Sequence, residues 1–507
     1  MKKIDNFLNN ITMYRLVLYY LICLLVIATL LSAIKVLAFN PWSILISTTF
    51  LVAVSVFTND TFTETFGAIS NYESVFISAL ILALIINPIK SVNELVFLAW
   101  AAVLTMASKF IFAFHKKHLF NPVAIAVALT ALALNQSATW WIGTTYMFPF
   151  VLAGGLLIVR KLRRVDLVYY FFFTAITVVL GTTVLSGKNL ITAASQILFA
   201  SPVLFFAFVM LTEPLTTPPT KKLQIIYGAL VGLLFAPQFH LSAMYFTPET
   251  ALLVGNVFSF IVSPKEKLVL KLKEKTEIGK DIYNFVFAKP NGENFAFEPG
   301  QYMEWTLKQD HIDNRGNRRY LTVASSPTEQ DISIGVKFYK KPSDFKQKLF
   351  DLKNGDEILA GQLAGDFTLS KNKSIKLAFI AGGIGITPFR SIIKNMIDTH
   401  ARRDAILLYS NNYENEIVYK DIFDAAEKQC GLKTVYTLTA PNDIPVGWQG
   451  KIGFIDEKML KESIPDFKER TFYISGPNIM VETFKKILTQ LGIENNRIIT
   501  DYFPGFA

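Results

Sequence analysis

The sequence predicts a multi-domain membrane protein: a polytopic α-helical bundle of about ten spans, then an antiparallel β-barrel, then an α/β domain with a parallel sheet. Three observations carry this. Of the 507 residues 51% are hydrophobic and only 18% charged, against about a quarter charged in an ordinary soluble protein. The deficit is uneven: residues 1–264 hold 15 Lys/Arg and 8 Asp/Glu, and residues 265–507 hold 35 and 32. Finally, apolar runs of near-spanning length recur up to Phe260 and give way from Lys267 to short alternating segments. At about 150 residues per domain the length suggests roughly three units: 1–263 helical, 265–372 barrel, 373–507 α/β. Disorder, a disulfide scaffold and a single soluble enzyme are excluded.

The expected spans are 14–38, 41–57, 74–89, 94–114, 121–136, 146–160, 167–186, 190–211, 224–238 and 249–262. The first follows Lys2 and Lys3 and exceeds a signal-peptide core, so it reads as a retained helix. With the N-terminus inside, the cytoplasmic gaps carry Lys109, Lys116, Lys117, Arg160, Lys161, Arg163, Arg164, Lys221 and Lys222. The opposite gaps carry Lys35, Lys90 and Lys188. That asymmetry is the positive-inside pattern, and it places residues 265–507 in the cytoplasm of a multi-pass cell-membrane protein. Of the net charge of +10, +7 lies in the membrane half. The cations stand singly or in short groups between apolar runs, which argues for topology and against nucleic-acid binding.

Two cysteines, Cys23 and Cys430, are too few for an iron–sulfur cluster or a structural zinc site, and no metal site is expected. The membrane half has His115, His118 and His240, which excludes a two-haem relay on paired axial histidines; no haem is expected. Glu213, in Thr212-Glu213-Pro214-Leu215-Thr216, is either part of a redox or ion pathway or an interfacial cap. Asn121 and Thr216 join Thr212 and Glu213 as candidates for that pathway. Phe39-Asn40-Pro41 and Phe120-Asn121-Pro122 either mark an internal repeat with interrupted helices or simply place Pro in a first helical turn.

Four stretches of this half carry a resemblance. They are Ser78 to Pro88, Lys109 to Pro122, Leu152-Ala-Gly-Gly-Leu-Leu157, and Phe208 to Thr220 followed by Ile226 to Leu234. Over most of residues 70–262 they resemble the flavin-carrying membrane subunits D of Rnf complexes and B of the sodium-pumping NADH:quinone reductase. Those subunits attach FMN to a threonine in a Ser-Gly-Ala-Thr type segment. The corresponding stretch here, Gln136 to Tyr146, lacks that motif although Thr144 and Thr145 follow a glycine. The resemblance therefore implies a noncovalent FMN or riboflavin between the helices rather than a covalent one.

In the soluble half, Leu268 to Lys275, Ile282 to Ala288 and Tyr302 to Leu307 read as antiparallel strands. Leu377 to Ala381, Ala405 to Tyr409, Thr434 to Leu438 and Thr471 to Ser475 alternate with helical runs, the pattern of a parallel sheet. Gly382-Gly383-Ile384-Gly385-Ile386-Thr387-Pro388 joins one strand to its helix, and Ser475-Gly476-Pro477-Asn478-Ile479-Met480 repeats the arrangement. Glycines there let a backbone approach a pyrophosphate, and a helix N-terminus attracts it. In Arg318-Arg319-Tyr320-Leu321-Thr322 an arginine can clamp a pyrophosphate, with a hydroxyl three residues on; the alternative is an edge strand with a surface arginine.

Together with Phe297-Glu-Pro-Gly-Gln-Tyr302 and Gly365-Asp-Phe-Thr-Leu369, these motifs resemble the ferredoxin–NADP reductase superfamily over residues 267–507. The resemblance implies FAD held by Arg319, Tyr320, Leu321, Thr322, Ala324, Ser325, Val336, Lys337 and Ser343, with Arg319 on the pyrophosphate and Thr322 near flavin N5. Leu321 stands where the family usually has an aromatic, and Lys340-Lys341-Pro342-Ser343 lacks the glycine of the family's second phosphate turn. It implies NAD(P) on Gly382, Gly383, Gly385, Thr387, Pro388, Ser410, Gly476, Pro477 and Met480. Phe503 or Phe506 either covers the flavin face until nicotinamide displaces it or packs on the domain interface. No arginine lies in Tyr409 to Tyr413 to pair a 2′-phosphate, which favours NADH; NADPH stays open through Lys420 or Arg402.

The expected function is a transmembrane NAD(P)H-dependent flavoprotein oxidoreductase passing electrons through FAD to a membrane carrier, a noncovalent flavin or quinone, or to an acceptor across the membrane. The rivals are a redox-coupled sodium or proton transporter and a soluble-type reductase with the helices as a mere anchor.

Overall fold

The computed structural model describes residues 4, 7–8, 11–67, 71–114, 117–236, 239–241, 244–263, 267–289, 295–309, 313 and 315–501. The chain divides into two compact units, Met1–Glu266 and Lys267–Ala507.

The first unit is helical: α1 (Met13–Ala33), α2 (Pro41–Phe66), α3 (Tyr72–Ile85), α4 (Leu95–Ile111), α5 (Pro122–Leu134), α6 (Phe148–Leu162), α7 (Val165–Leu185), α8 (Leu190–Phe199), α9 (Val203–Met210), α10 (Lys221–Phe235) and α11 (Pro248–Val262). Each expected apolar segment is helical, but ten full spans are not what the lengths show. Among the described residues four helices are long and apolar enough to cross a membrane: α1, α2, α4 with its preceding turn, and α7. A fifth results if α8 and α9, bent by 54°, count as one.

The shortfall has a local cause. Helix α3 is apolar all round and mostly buried, as expected of a helix inside a bundle, and it stops at Ile85. Its terminal carbonyls are taken up by a returning segment: Thr139 and Trp140 N–H donate to Ile85 O at 2.9 and 2.8 Å, and the Trp141 indole donates to Ala83 O and Ile86 O at 3.0 and 2.9 Å. An interrupted helix in an apolar core needs such partners. Asn40 and Asn121 both cap helices whose first turn carries proline. Yet α2 runs 26 residues and α5 only 13, so the two Asn-Pro copies open unlike helices.

The second unit has two sheets. Strands β1 (Leu268–Gly279), β2 (Ile282–Ala288), β3 (Tyr302–Thr306), β4 (Arg318–Thr322), β5 (Ile332–Lys337) and β6 (Glu357–Ala364) form an antiparallel sheet ordered β4-β3-β6-β1-β2-β5. It curls toward closure where Ala324 N–H, just past β4, donates to Ser333 O of β5 at 2.8 Å. Trp305, Phe285, Phe287 and Ile334 fill its interior. Helix α12 (Asp344–Asp351) follows β5.

The parallel sheet comprises β7 (Leu377–Gly382), β8 (Ala405–Asn411), β9 (Leu432–Leu438), β10 (Lys451–Ile452), β11 (Thr471–Ser475) and β12 (Ile498–Asp501), ordered β10-β9-β8-β7-β11-β12. Helices α13 (Thr387–Asp398), α14 (Lys420–Cys430), α15 (Glu457–Ser463) and α16 (Asn478–Gln490) make the connections. From β7 the chain winds outward through β8, β9 and β10, then returns to place β11 on the other side of β7. That reversal is the topological switch point, where open parallel sheets leave a crevice at the strands' carboxyl ends.

Candidate functional site

Both glycine-rich turns lie at the switch point, because β7 and β11 are the neighbours there. A β-carbon on Gly385 would sit 2.6 Å from the Gly476 backbone and from Ser475 O. One on Gly382 would meet Met480 Sδ at 2.4 Å and Pro477 Cδ at 3.1 Å. At Gly385, where every neighbour is backbone, only glycine permits this approach. Gly382, Gly385, Gly476, Pro477 and Met480 are thus brought into one cradle. Gly383 adopts φ +53° in the same turn, Thr387 Oγ1 donates to Ile384 O at 3.2 Å, and Pro388 lies in the first turn of α13. Ser410 stands beside Gly382 on β8.

On the antiparallel sheet, Arg319 is 7% exposed. Its Nη1 donates to the carbonyls of Arg315, Gly316 and Arg318 at 2.7, 3.0 and 2.7 Å, and the guanidinium lies over the Phe345 ring, 5.0 Å from its centroid. Burial lowers its pKa to about 10, opposed by Asp313 and aided by Arg315. Phe345 belongs to α12, whose N-cap Ser343 is fully buried and accepts from Lys346 N–H at 3.3 Å. Arg319 and Ser343 therefore meet at one helix start.

The remaining expected residues are disposed differently. Tyr320 Oη donates to Glu304 at 3.0 Å. Leu321 rests on the interior of the sheet, and its carbonyl accepts from the Trp305 indole at 3.2 Å. Thr322 is buried at the end of β4. Ala324 O and Ser325 O accept from Arg390 and Ser391 of α13 at 3.0 and 2.7 Å, tying the two sheets together. Val336 points into the core, and the Lys337 ammonium is committed to Glu416 at 2.7 Å. Phe503 and Phe506 lie outside the described residues. Lys420 pairs with Asp424 at 2.7 Å.

In the helical unit, three of the four candidates converge. Glu213 Oε2 accepts from Asn121 Nδ2 at 2.7 Å and from Thr216 Oγ1 at 3.2 Å. Asn256 of α11 accepts from Asn121 N–H at 2.8 Å and donates to Tyr227 Oη at 3.2 Å. Thr212 turns its hydroxyl to Phe208 O at 2.7 Å. The chain reaches Glu213 through a π-turn over Phe206–Met210, a feature frequent at functional sites. Asn121, Thr212 and Glu213 line a small cavity of about 60 Å³ with Tyr14, Ser78 and Leu162.

Sequence reasoning missed Asn256, Tyr227, Arg315, Lys346 and Arg390. A polar residue inside an apolar helix was an available signal for Asn256; the others have no local signature.

The donor sets suit anionic dinucleotides: a backbone cradle closed to any side chain at one sheet, and buried guanidinium beside a capped helix start at the other. Among the described residues no group of three His, Cys, Asp or Glu could hold a metal ion.

Residues 269–365 match the family model for the oxidoreductase FAD-binding domain, and residues 379–486 that for the oxidoreductase NAD-binding domain. Flavohemoprotein of Bacillus anthracis is 26% identical over 246 residues, 46% of this chain and 60% of that protein. NADH-cytochrome b5 reductase 1 of Aspergillus terreus is 28% identical over 249 residues, 47% of this chain and 83% of that protein. Among solved structures, the cytochrome b5 reductase domain of Ulva prolifera nitrate reductase is 23% identical, with a TM-score of 0.41, over 47% of this chain and 98% of that one. The chain thus spans about three fifths of the flavohemoprotein it matches. In order along the chain, residues 269–365 and 379–486 thus match an oxidoreductase FAD-binding and an oxidoreductase NAD-binding domain.

Proposed function

We propose that this chain is a transmembrane NAD(P)H-dependent flavoprotein oxidoreductase, passing electrons from NAD(P)H through FAD to a carrier in the helical unit or an acceptor beyond it. The observation that carries the reading is the close approach of Gly385 to Gly476 at the switch point, the place where open parallel sheets take a dinucleotide. FAD, when bound, supplies the exchange between two-electron and one-electron chemistry. Arg319 and Ser343 hold its phosphates, Thr322 stands at the end of β4 toward the flavin, and Arg390 fixes the nicotinamide lobe against the flavin lobe. The resemblance of the relatives named for NADH supports NADH as donor, as does the lack of arginine in Tyr409 to Tyr413.

The helical unit is assigned to the membrane, with both nucleotide domains cytoplasmic, on its apolar helices and lysine/arginine asymmetry. The cavity at Asn121, Thr212 and Glu213, with apolar walls and a few convergent polar groups, is where this reading places an aromatic carrier such as a flavin or quinone, which must widen it on binding. Cofactor extraction from the purified full-length chain tests this. FAD together with FMN or riboflavin, released without proteolysis, supports the relay; FAD alone refutes a flavin in the helices.

A second reading, redox-coupled sodium or proton transport, draws on the buried Glu213–Asn121–Asn256 connection. NADH-driven ion uptake into liposomes that Glu213→Gln abolishes would favour it; equal uptake by that variant would remove it.

A further inference from the structure

We propose that Tyr419 is a positioning residue for hydride transfer: its ring is a wedge that sets the separation between strand β5 of the antiparallel sheet and the glycine turn that opens α13. The proposal rests on the reading of residues 267–507 as an FAD and NAD(P)H module.

Tyr419 ends the segment that leads from β8 to α14, and it takes φ +58° just ahead of Lys420. A left-handed backbone is an outlier for a bulky residue, and such strain persists where the surroundings over-determine it. Here the segment grips the antiparallel sheet before Tyr419 is reached. Asn415 O accepts from Lys280 N–H at 2.9 Å, and Glu416 pairs with Lys337 at 2.7 Å. Val418 lies so close to Gly279 that a β-carbon there would meet its Cγ1 at 2.8 Å.

The contacts of the side chain show what it separates. Tyr419 Oη donates to Asn284 Oδ1 of β2 at 3.3 Å. The Arg390 guanidinium of α13 lies over its ring, 5.6 Å from the centroid. Gly335 of β5 is the cross-strand partner of Asn284. A β-carbon on Gly335 would lie 2.7 Å from Tyr419 Oη, 2.9 Å from Thr387 Cγ2 and 3.3 Å from Ile384 Cδ1. Gly335 precedes Val336 and Lys337, which the reading gives to FAD, whereas Ile384 and Thr387 belong to the turn it gives to the dinucleotide. Tyr419 therefore stands where the two seats meet. The reaction moves one hydride from nicotinamide C4 to flavin N5, oxidising NADH and reducing FAD, and a misplacement of about 1 Å costs such a step roughly a hundredfold.

The test uses the full-length FAD-loaded protein in detergent. Single-turnover reduction of FAD by NADH gives the rate. The long-wavelength charge-transfer absorbance of NAD+ on the reduced protein gives an equilibrium signal of ring stacking. Tyr419→Asn, which suits a left-handed backbone, should keep FAD, be reduced roughly ten- to a hundredfold more slowly, and show a weaker band. Tyr419→Phe keeps the ring and should stay within a few fold of the parent. Gly335→Ala presses on Tyr419 Oη and should slow reduction, and adding Tyr419→Phe to it should restore part of the rate. Parent rate and parent band in FAD-loaded Tyr419→Asn overturn the proposal. If that variant loses FAD, the Gly335→Ala pair decides: no slowing, or slowing that Tyr419→Phe does not relieve, overturns it. A parent chain whose FAD is not reduced by NADH overturns the module reading instead.

Discussion

Gly385→Ala puts the nicotinamide crevice to the most direct test. The new β-carbon would lie 2.6 Å from Gly476 Cα, Gly476 N and Ser475 O. None of these is the end of a flexible side chain. Both turns are anchored by the β7–β11 ladder, in register from Leu377↔Thr471 to Ala381↔Ser475, so relief requires the two turns to part by ~0.8 Å. Overfilling a well-packed contact costs about 1–3 kcal/mol. If half or more of that cost falls on the crevice, NADH affinity drops roughly 2- to 140-fold, since 1.4 kcal/mol is a factor of ten. Gly431→Ala is the control. Gly431 has φ +75° at the end of α14 with open space around its Cα, so alanine there costs about 1 kcal/mol of backbone strain and leaves the crevice untouched. The assay is NADH titration by fluorescence, with denaturant unfolding alongside, on the full-length chain. Gly385→Ala should lose affinity beyond any loss shared with Gly431→Ala. If it binds NADH within twofold of the parent, the crevice is not where the two turns meet.

Arg319→Ala should lower FAD occupancy of the purified protein; full occupancy would refute its place at the pyrophosphate. Arg390→Ala removes a buried fork that holds Glu329 and Ala324 O, and should destabilise the nucleotide unit by about 1.5–3 kcal/mol. Arg390→Lys should restore only part of this, because an ammonium lacks the fork; calorimetric unfolding compares the two. Asp466 is held at a pKa of about 2, below its ordinary 3.8, chiefly by its hydrogen bonds to Arg470 and with help from Lys376. Its contribution is complete above pH ~4 and is lost as the pH falls toward 2. Asp466→Asn should therefore melt below the parent at pH 7, with the gap closing in that acidic window; a gap independent of pH would contradict the ion pair.

The class of each sheet was legible in the sequence for a plain reason. Side chains alternate sides along the antiparallel strands, as in the burial of Leu268, Leu270 and Leu272, whereas β7 is buried on both faces from Leu377 to Gly382, a run that reads as continuous hydrophobicity. Glycine and proline at 382–388 and 475–477 announced turns at strand ends. The number of full membrane spans was not legible. Hydropathy reports that α3 and α5 are apolar, but their short lengths follow from where Asn-Pro breaks fall and from whether residues 139–142 return to meet the carbonyls of Ala83 to Ile86.

By itself, then, the sequence determined the order of a helical unit, an antiparallel sheet and a parallel sheet, because periodicity and charge density are local properties of the chain. It also marked Arg319, Gly385, Gly476 and Glu213 as unusual residues for their surroundings. Only the tertiary structure decided that Gly385 touches Gly476 across 91 positions, that Asn121 and Thr216 share Glu213, and that Arg319 lies over the Phe345 ring. Those are contacts between segments far apart or on different elements. What selects them is close packing and the need to partner buried polar groups, and neither leaves a trace in any short window of sequence.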